Sequence, residues 1–150
     1  DIGWAFTVAG IVMALVQGLL VGRLINNIGE EKTAATGIIL MGTSFVLFLF
    51  MYNIPSSMAF MAVFSAGVGL MRPAISAAVS KRTTSGQGSA MGILNGYDSL
   101  GRAIGPVLGG FMLDLGLNLG YYTAIFISLL ALLTLVVGSR ARVNEGYQAE

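Results

Sequence analysis

Five long apolar stretches follow one another along the chain, separated by short breaks that carry turn residues such as Asn, Gly and Pro. Each stretch is about 18 to 25 residues long, the length that a helix needs to cross the hydrocarbon core of a bilayer. Because the breaks are short, we expect consecutive helices to run antiparallel. The pattern therefore predicts an all-α fold: a polytopic membrane helical bundle of about five transmembrane helices. The predicted spans cover residues 4–22, 34–52, 57–80, 89–113 and 121–138, and residues 139–150 form a tail.

Composition supports a membrane protein. Apolar residues make up 55% of the chain and charged residues 10%, with a mean hydropathy of +0.82, whereas a soluble domain is about 25% charged. The sequence contains no cysteine and no histidine, which excludes a disulfide framework, a Cys/His metal site and a histidine-based catalytic pair. We therefore expect no cofactor, no metal and no enzymatic activity, and the net charge of +1 gives no reason to expect a nucleic-acid partner.

The basic residues outside the predicted spans occur only in alternate breaks. These residues are Arg23, Lys32, Lys81, Arg82, Arg140 and Arg142. Lys and Arg concentrate in cytoplasmic loops, so the first helix is predicted to enter from outside and the C-terminus to be cytoplasmic, in the cell membrane. An odd number of spans with an external N-terminus predicts that upstream helices are missing, and that a missing N-terminal half is a partner of this bundle.

The fourth predicted span is rich in glycine at a spacing of four residues. Its best-defined stretch consists of Gly101, Gly105, Pro106, Gly109 and Gly110. Glycines at this spacing lie on one helical face and let a neighbouring helix approach the bare backbone. Proline removes one backbone donor and bends a helix. The stretch therefore predicts tight helix packing, a flexible helix that moves during transport, or both.

This glycine–proline stretch resembles the antiporter motif of the major facilitator superfamily. The segment Gly69-Leu-Met-Arg72-Pro73 is similar to bacterial multidrug efflux proton antiporters of the quinolone-exporting type. Relatives of this type often carry an acidic residue three positions before this Arg-Pro pair, where this chain has Gly69. The first break resembles a degenerate copy of the superfamily's cytoplasmic signature loop, carried here by Gly22, Arg23, Asn26, Gly29 and Lys32.

The resemblance extends over essentially the whole chain and has implications for fold and function. It implies that the five spans are the eighth to twelfth helices of a twelve-helix transporter. It further implies proton-coupled efflux of small amphipathic drugs by alternating access, with protons, a small-molecule substrate and the lipid bilayer as partners. Two alternatives stay open: a sugar or metabolite permease of the same superfamily, and a truncated, non-transporting membrane protein that acts by helix association.

Three ionisable residues lie well inside predicted spans: Arg72, Asp98 and Arg102. Each costs at least about 2.5 kcal/mol near the bilayer centre, so each needs a partner or a wet cavity. Asp98 and Arg102 are four residues apart, the spacing at which helical side chains meet. Asp98 is predicted either to pair with Arg102 or to line a cavity, where it exchanges a proton or attracts a cationic substrate. Arg72 either extends toward the interface or has a cavity or gating role.

Polar, aromatic and methionine side chains inside the spans are the candidates for a substrate cavity. They are Gln17, Asn95, Tyr97, Met13, Phe64 and Met71. Methionine and aromatic side chains adapt to varied apolar ligands, and a polar amide that faces lipid is costly. Packing between helices or against lipid is the competing interpretation for each of them.

Overall fold

The computed structural model describes residues 2–83, 86–116 and 118–148, and nearly all of them are helical. The elements are α1 (Ile2–Leu15), a π-helical turn (Val16–Leu20), α2 (Val21–Ile28), α3 (Glu30–Phe48), α4 (Ile54–Arg82), α5 (Gln87–Leu115) and α6 (Leu119–Gln148). The backbone stays helical from α1 through the π-helical turn into α2, so these three segments form one N-terminal helix, and the described residues form five long helices. No described residue lies in a strand, which confirms the all-α class.

Each predicted span lies on one of these helices, but several ends differ. α3 begins at Glu30 and ends at Phe48, so it starts before the predicted span 34–52 and stops short of its end. α6 continues to Gln148, so the described part of the predicted tail is helical. Helices can project beyond the bilayer, and a hydropathy pattern marks only their apolar part.

Gly29 alone separates α2 from α3. Its φ of 86° and ψ of 166° lie in a region that glycine reaches without strain. Its N–H donates to the carbonyl of Ile25 at 3.0 Å, and its carbonyl accepts a hydrogen bond from the Thr33 hydroxyl at 2.7 Å. The predicted signature loop over residues 22–32 is therefore helical on both sides of Gly29 rather than an extended loop.

α3 and α4 make the closest helix contact. A Cβ atom at Gly37 would lie 2.7 Å from the carbonyl oxygen of Gly67, and a Cβ atom at Gly67 would lie 2.7 Å from that of Gly37. Neither position has room for a side chain, so small residues allow the two backbones to meet. Farther along the same interface, the Ser44 hydroxyl donates to the carbonyl of Phe60 at 2.8 Å. The interface thus combines van der Waals contact with an interhelical hydrogen bond.

The two ends of the α3–α4 pair carry different interactions. At one end Phe48 packs edge-on against Phe60 and stacks on Tyr121 of α6, with ring centroids 6.0 Å apart in both cases. At the other end Lys81 Nζ donates to Glu30 Oε1 at 3.0 Å, and Arg82 pairs with Glu31. α3 and α4 are therefore antiparallel and are joined at both ends, with α6 included at the aromatic end.

The N-terminal helix packs on α4 through a small apolar cluster. Val16, Val21 and Leu70 are buried together, and a Cβ atom at Gly69 would lie 3.3 Å from the Val16 side chain. α5 differs from the other helices because it has few contacts with α4 and α6 and contains no buried residue in the described chain. The bundle is thus well packed around α4, and α5 lies at its periphery.

The outer surface of the bundle is apolar. Three described helices are long and apolar enough to cross a membrane: Phe6–Ile28, Ile54–Arg82 and Leu119–Ser139. α3 begins with charged residues, and α5 contains Asp98 and Arg102 together with many glycines, so both have lower hydropathy. That α3 and α5 also cross a membrane stays a prediction.

The Gly37–Gly67 contact predicts the result of a substitution. Gly37→Ala should lower the free energy of unfolding by about 1–3 kcal/mol, because the added methyl group forces the two backbones apart. Thermal unfolding of the chain in detergent micelles, followed by circular dichroism, measures the change. Gly92→Ala on α5 is the matched control, because a Cβ atom there meets nothing within 4 Å. A Gly37→Ala chain as stable as the Gly92→Ala chain would contradict the prediction.

The Lys81–Glu30 pair predicts a dependence of stability on pH. Glu30 lies outside the predicted span 34–52, and the hydrogen bond from Lys81 is the main cause that lowers its pKa below 4.5. A lowered pKa in the folded state contributes stability above the ordinary pKa, and this stability is lost as the pH falls through the folded-state pKa. Glu30→Gln should therefore be less stable than wild type near neutral pH, and the difference should shrink well below pH 4.5.

Thermal unfolding at a series of pH values tests this expectation. Asp114→Asn is the control, because this exposed acid on α5 makes no ion pair in the described chain. A difference between wild type and Glu30→Gln that stays constant with pH would show that the Lys81 bond does not act through the charge of Glu30.

Candidate functional site

A cleft of about 470 Å³ lies between α4 and α5. Its lining residues are Met71, Arg72, Ile75 and Ser76 of α4, and Leu94, Asn95, Tyr97, Asp98 and Arg102 of α5. The lining residues of each helix include several at spacings of three or four, which place them on one side of that helix, so the cleft is where two helical faces meet. It contains all three of the ionisable residues predicted inside the spans, together with three of the six cavity candidates, Asn95, Tyr97 and Met71.

The Asp98 carboxylate joins the two walls of the cleft. Its Oδ1 accepts a hydrogen bond from an Nη of Arg72 at 2.8 Å. Its Oδ2 lies 3.1 Å from Nε and 2.9 Å from an Nη of Arg102. Both oxygens of one acid are therefore occupied by guanidinium groups, one from the opposite helix and one from the next turn of its own helix.

Helix geometry explains this arrangement. Arg102 follows Asp98 by four residues, which places the two side chains next to each other on α5. Arg72 extends across the cleft to the Asp98 carboxylate rather than along α4 toward the interface, so the interfacial interpretation of Arg72 does not describe this structure. The three side chains are 38%, 42% and 63% exposed for Arg72, Asp98 and Arg102, so they are partly accessible from the cleft.

Gly69, the position at which the resemblance implies an acid, does not line the cleft. It is buried against the N-terminal helix, 3.3 Å from Val16 when given a Cβ atom. A carboxylate at this position would need the Val16 contact to open. Among the residues that line the cleft, Asp98 is the one carboxylate.

The other three cavity candidates lie elsewhere. Phe64 packs edge-on against Phe45 of α3, with centroids 5.4 Å apart, so it belongs to the α3–α4 interface. The carbonyl of Met13 faces Gly69 at the contact between the N-terminal helix and α4. Gln17 is an exposed residue of the π-helical turn. Met13 and Gln17 lie outside the cleft because they belong to the N-terminal helix, which does not line it, and Phe64 lies outside because it is on the side of α4 that packs on α3.

The glycines of the antiporter-like stretch do not pack against the described chain. A Cβ atom added at Gly101, Gly105, Gly109 or Gly110 would meet no atom of the described residues within 4 Å, so the predicted tight packing at these positions does not involve the described part of the chain. α5 is helical through Pro106. The close approach of backbones occurs at Gly37 and Gly67 instead.

The signature-loop residues contribute less to ion pairing than their neighbours. Gly22, Arg23 and Asn26 lie on α2, and Lys32 lies on α3. The ion pairs at this end of the bundle use Glu30 and Glu31 with Lys81 and Arg82. A signal for these pairs is visible in the sequence, since acids begin one helix and bases end the next antiparallel helix. Among the described residues, no group of three or more His, Cys, Asp or Glu side chains could hold a metal ion.

Comparison with known proteins identifies the family of this chain. The sequence profile of the Major Facilitator Superfamily matches residues 1–148. Multidrug resistance protein 2 of Bacillus subtilis (strain 168) is 33% identical over 141 residues, which are 91% of this chain and 34% of that protein. Quinolone resistance protein NorA of Staphylococcus aureus (strain COL) is 28% identical over 144 residues, 96% of this chain and 37% of that protein.

A mammalian relative is named for the same family. Major facilitator superfamily domain-containing protein 10 of Mus musculus is 32% identical over 108 residues, 71% of this chain and 23% of that protein. The chain spans about a third of the length of the bacterial relatives. Because the family profile covers nearly the whole of an apolar, all-α helical bundle, this chain belongs to the Major Facilitator Superfamily of membrane transport proteins.

Proposed function

We propose that this chain is the last five helices of a secondary active transporter that exports small amphipathic drugs in exchange for protons. The names of its bacterial relatives support drug efflux, and the chain spans about a third of their length, which leaves room for further helices in a longer transporter. In this proposal all five helices cross the cell membrane and the C-terminus is cytoplasmic, as the distribution of Lys and Arg predicts.

The observation that carries the proposal is the position of Asp98 between two arginines in the α4–α5 cleft. Ionisable groups inside a membrane bundle often form proton pathways. When ionised, Asp98 holds Arg72 and Arg102. When it takes up a proton it loses its charge, and both charge-assisted hydrogen bonds weaken. Uptake and release of one proton at the Asp98 carboxylate would therefore alternately loosen and restore the connection between α4 and α5.

The packing of the bundle gives this change a mechanical consequence. α3, α4 and α6 are joined by the Gly37–Gly67 contact, by the aromatic cluster and by ion pairs, whereas α5 has few other contacts with α4. In transporters that work by alternating access, groups of helices rock around a central site. In this proposal α5 moves relative to α4, and the open glycines of α5 permit such movement.

Asp98→Asn tests the role of the carboxylate in the full-length protein reconstituted in proteoliposomes. Export of a panel of cationic, neutral and anionic amphipathic dyes, driven by a pH gradient, should fall by at least about tenfold, because the amide cannot take up and release the coupled proton. Asp98→Glu, which keeps a titratable group, should retain part of the activity. Asp114→Asn, which changes an exposed acid of the same helix outside the cleft, should leave export unchanged.

The same assay separates the alternatives. Unchanged export by Asp98→Asn would show that Asp98 does not carry the coupled proton. Transport of sugars or metabolites with no transport of any dye would replace drug efflux by a permease of the same superfamily.

A further inference from the structure

The α4–α5 cleft carries an excess of positive charge. The charged residues that line it are Arg72, Asp98 and Arg102, so two guanidinium groups face one carboxylate and one positive charge is unbalanced. A charge in a membrane-embedded cavity needs a partner. Within the described chain, the lining of the cleft supplies no second acid.

The carboxylate is not free for a cationic ligand. Oδ1 of Asp98 is bonded to Arg72 and Oδ2 to Arg102. A cation that binds Asp98 would have to displace one guanidinium group and would then lie beside it. The hydrogen bonds and the repulsion between like charges both oppose this exchange.

Arg102 has donors that the described chain does not use. A guanidinium group has five N–H donors in a planar fork, and Arg102 uses only Nε and one Nη on Asp98. Its side chain is the most exposed of the three, at 63%. Such a fork matches the geometry of a carboxylate and can bind it in a bidentate manner.

The rest of the lining suits the apolar part of an amphipathic molecule. Met71, Ile75 and Leu94 supply apolar surface, and Asn95 and Tyr97 supply polar groups. The volume of about 470 Å³ lies within the range of pockets that bind drug-sized ligands, about 300–1,000 Å³.

We propose that this cleft binds amphipathic molecules that bear an anionic group such as a carboxylate, and that Arg102 is the residue that selects for this charge. The inference rests on the proposed function, because it requires the α4–α5 cleft to line a substrate pathway. It replaces the expectation from sequence that Asp98 attracts a cationic substrate. The apolar body of the ligand lies against α4, and its anionic group binds the free edge of the Arg102 guanidinium.

Equilibrium binding to the full-length protein in lipid nanodiscs tests the proposal. Naphthylacetate, naphthylethylammonium and naphthylethanol share an aromatic body and differ in charge, and their fluorescence reports binding. Naphthylacetate should bind about tenfold more tightly than naphthylethylammonium, a difference of about 1.4 kcal/mol. Arg102→Gln should weaken binding of the anion about tenfold and change binding of the neutral probe by less than about twofold. Arg102→Lys, which keeps the charge, should retain most of the preference.

Arg142→Gln makes the same charge change in the predicted tail and should leave the order of affinities unchanged. Thermal unfolding followed by circular dichroism reports whether each variant is folded. The proposal would be overturned if wild type bound the ammonium probe more tightly than the carboxylate probe. It would also be overturned if Arg102→Gln weakened the binding of all three probes equally.

Dye export separates this inference from the proposed function. If anion binding depends on Arg102 but the protein exports no dye, the proposal of drug efflux is wrong and the proposal of an anion site still holds. Proton-driven export of cationic dyes alone would support efflux and overturn the anion site.

Discussion

The contact between Gly37 of α3 and Gly67 of α4 is the constraint on which the rest of the bundle depends. Because the two backbones touch there, the helices are close enough for the Ser44 hydroxyl to reach the Phe60 carbonyl. Between helices in a membrane, apolar burial gives little driving force, so van der Waals packing and hydrogen bonds hold them together. The other interactions between α3 and α4 are aromatic at one end and ionic at the other. They form because the two glycines allow the helices to come this close.

This close fit leaves α4 as the well-packed wall of the cleft and α5 as the loosely packed one. α4 is packed on one side by α3 and on another by the N-terminal helix through Val16 and Leu70. α5 has no comparable apolar interface in the described chain, and the most specific link between the two walls is the Asp98 carboxylate. A single charged group therefore connects a well-packed part of the bundle to a loosely packed part.

Whether the sequence predicts a structural feature depends on how far apart along the chain the residues involved lie. Hydropathy predicts the five helices because each is a continuous local segment, and spacing predicts the Asp98–Arg102 pair because four residues make one helical turn. The Arg72–Asp98 bond and the Gly37–Gly67 contact join residues on different helices, and their formation depends on how those helices rotate and pack. The same limit explains why Phe64, Met13 and Gln17 lie outside the cleft, since hydropathy places a residue in a span without giving its face or the helices that line the cleft.

Proton exchange and an anionic ligand place opposing demands on the cleft. At a fixed geometry, protonation of Asp98 would free its guanidinium partners and favour an anion, so proton and ligand would bind together. Export in exchange for protons requires the reverse, namely that protonation weakens ligand binding. In the proposed function the position of Asp98 supplies that reverse effect, because protonation also weakens the bond from Arg72 that links α5 to α4. Because these helices have few other contacts, a weaker bond would let the two walls that the ligand needs move apart. The linkage would be reciprocal: an anionic ligand that holds the walls together would favour the ionised carboxylate.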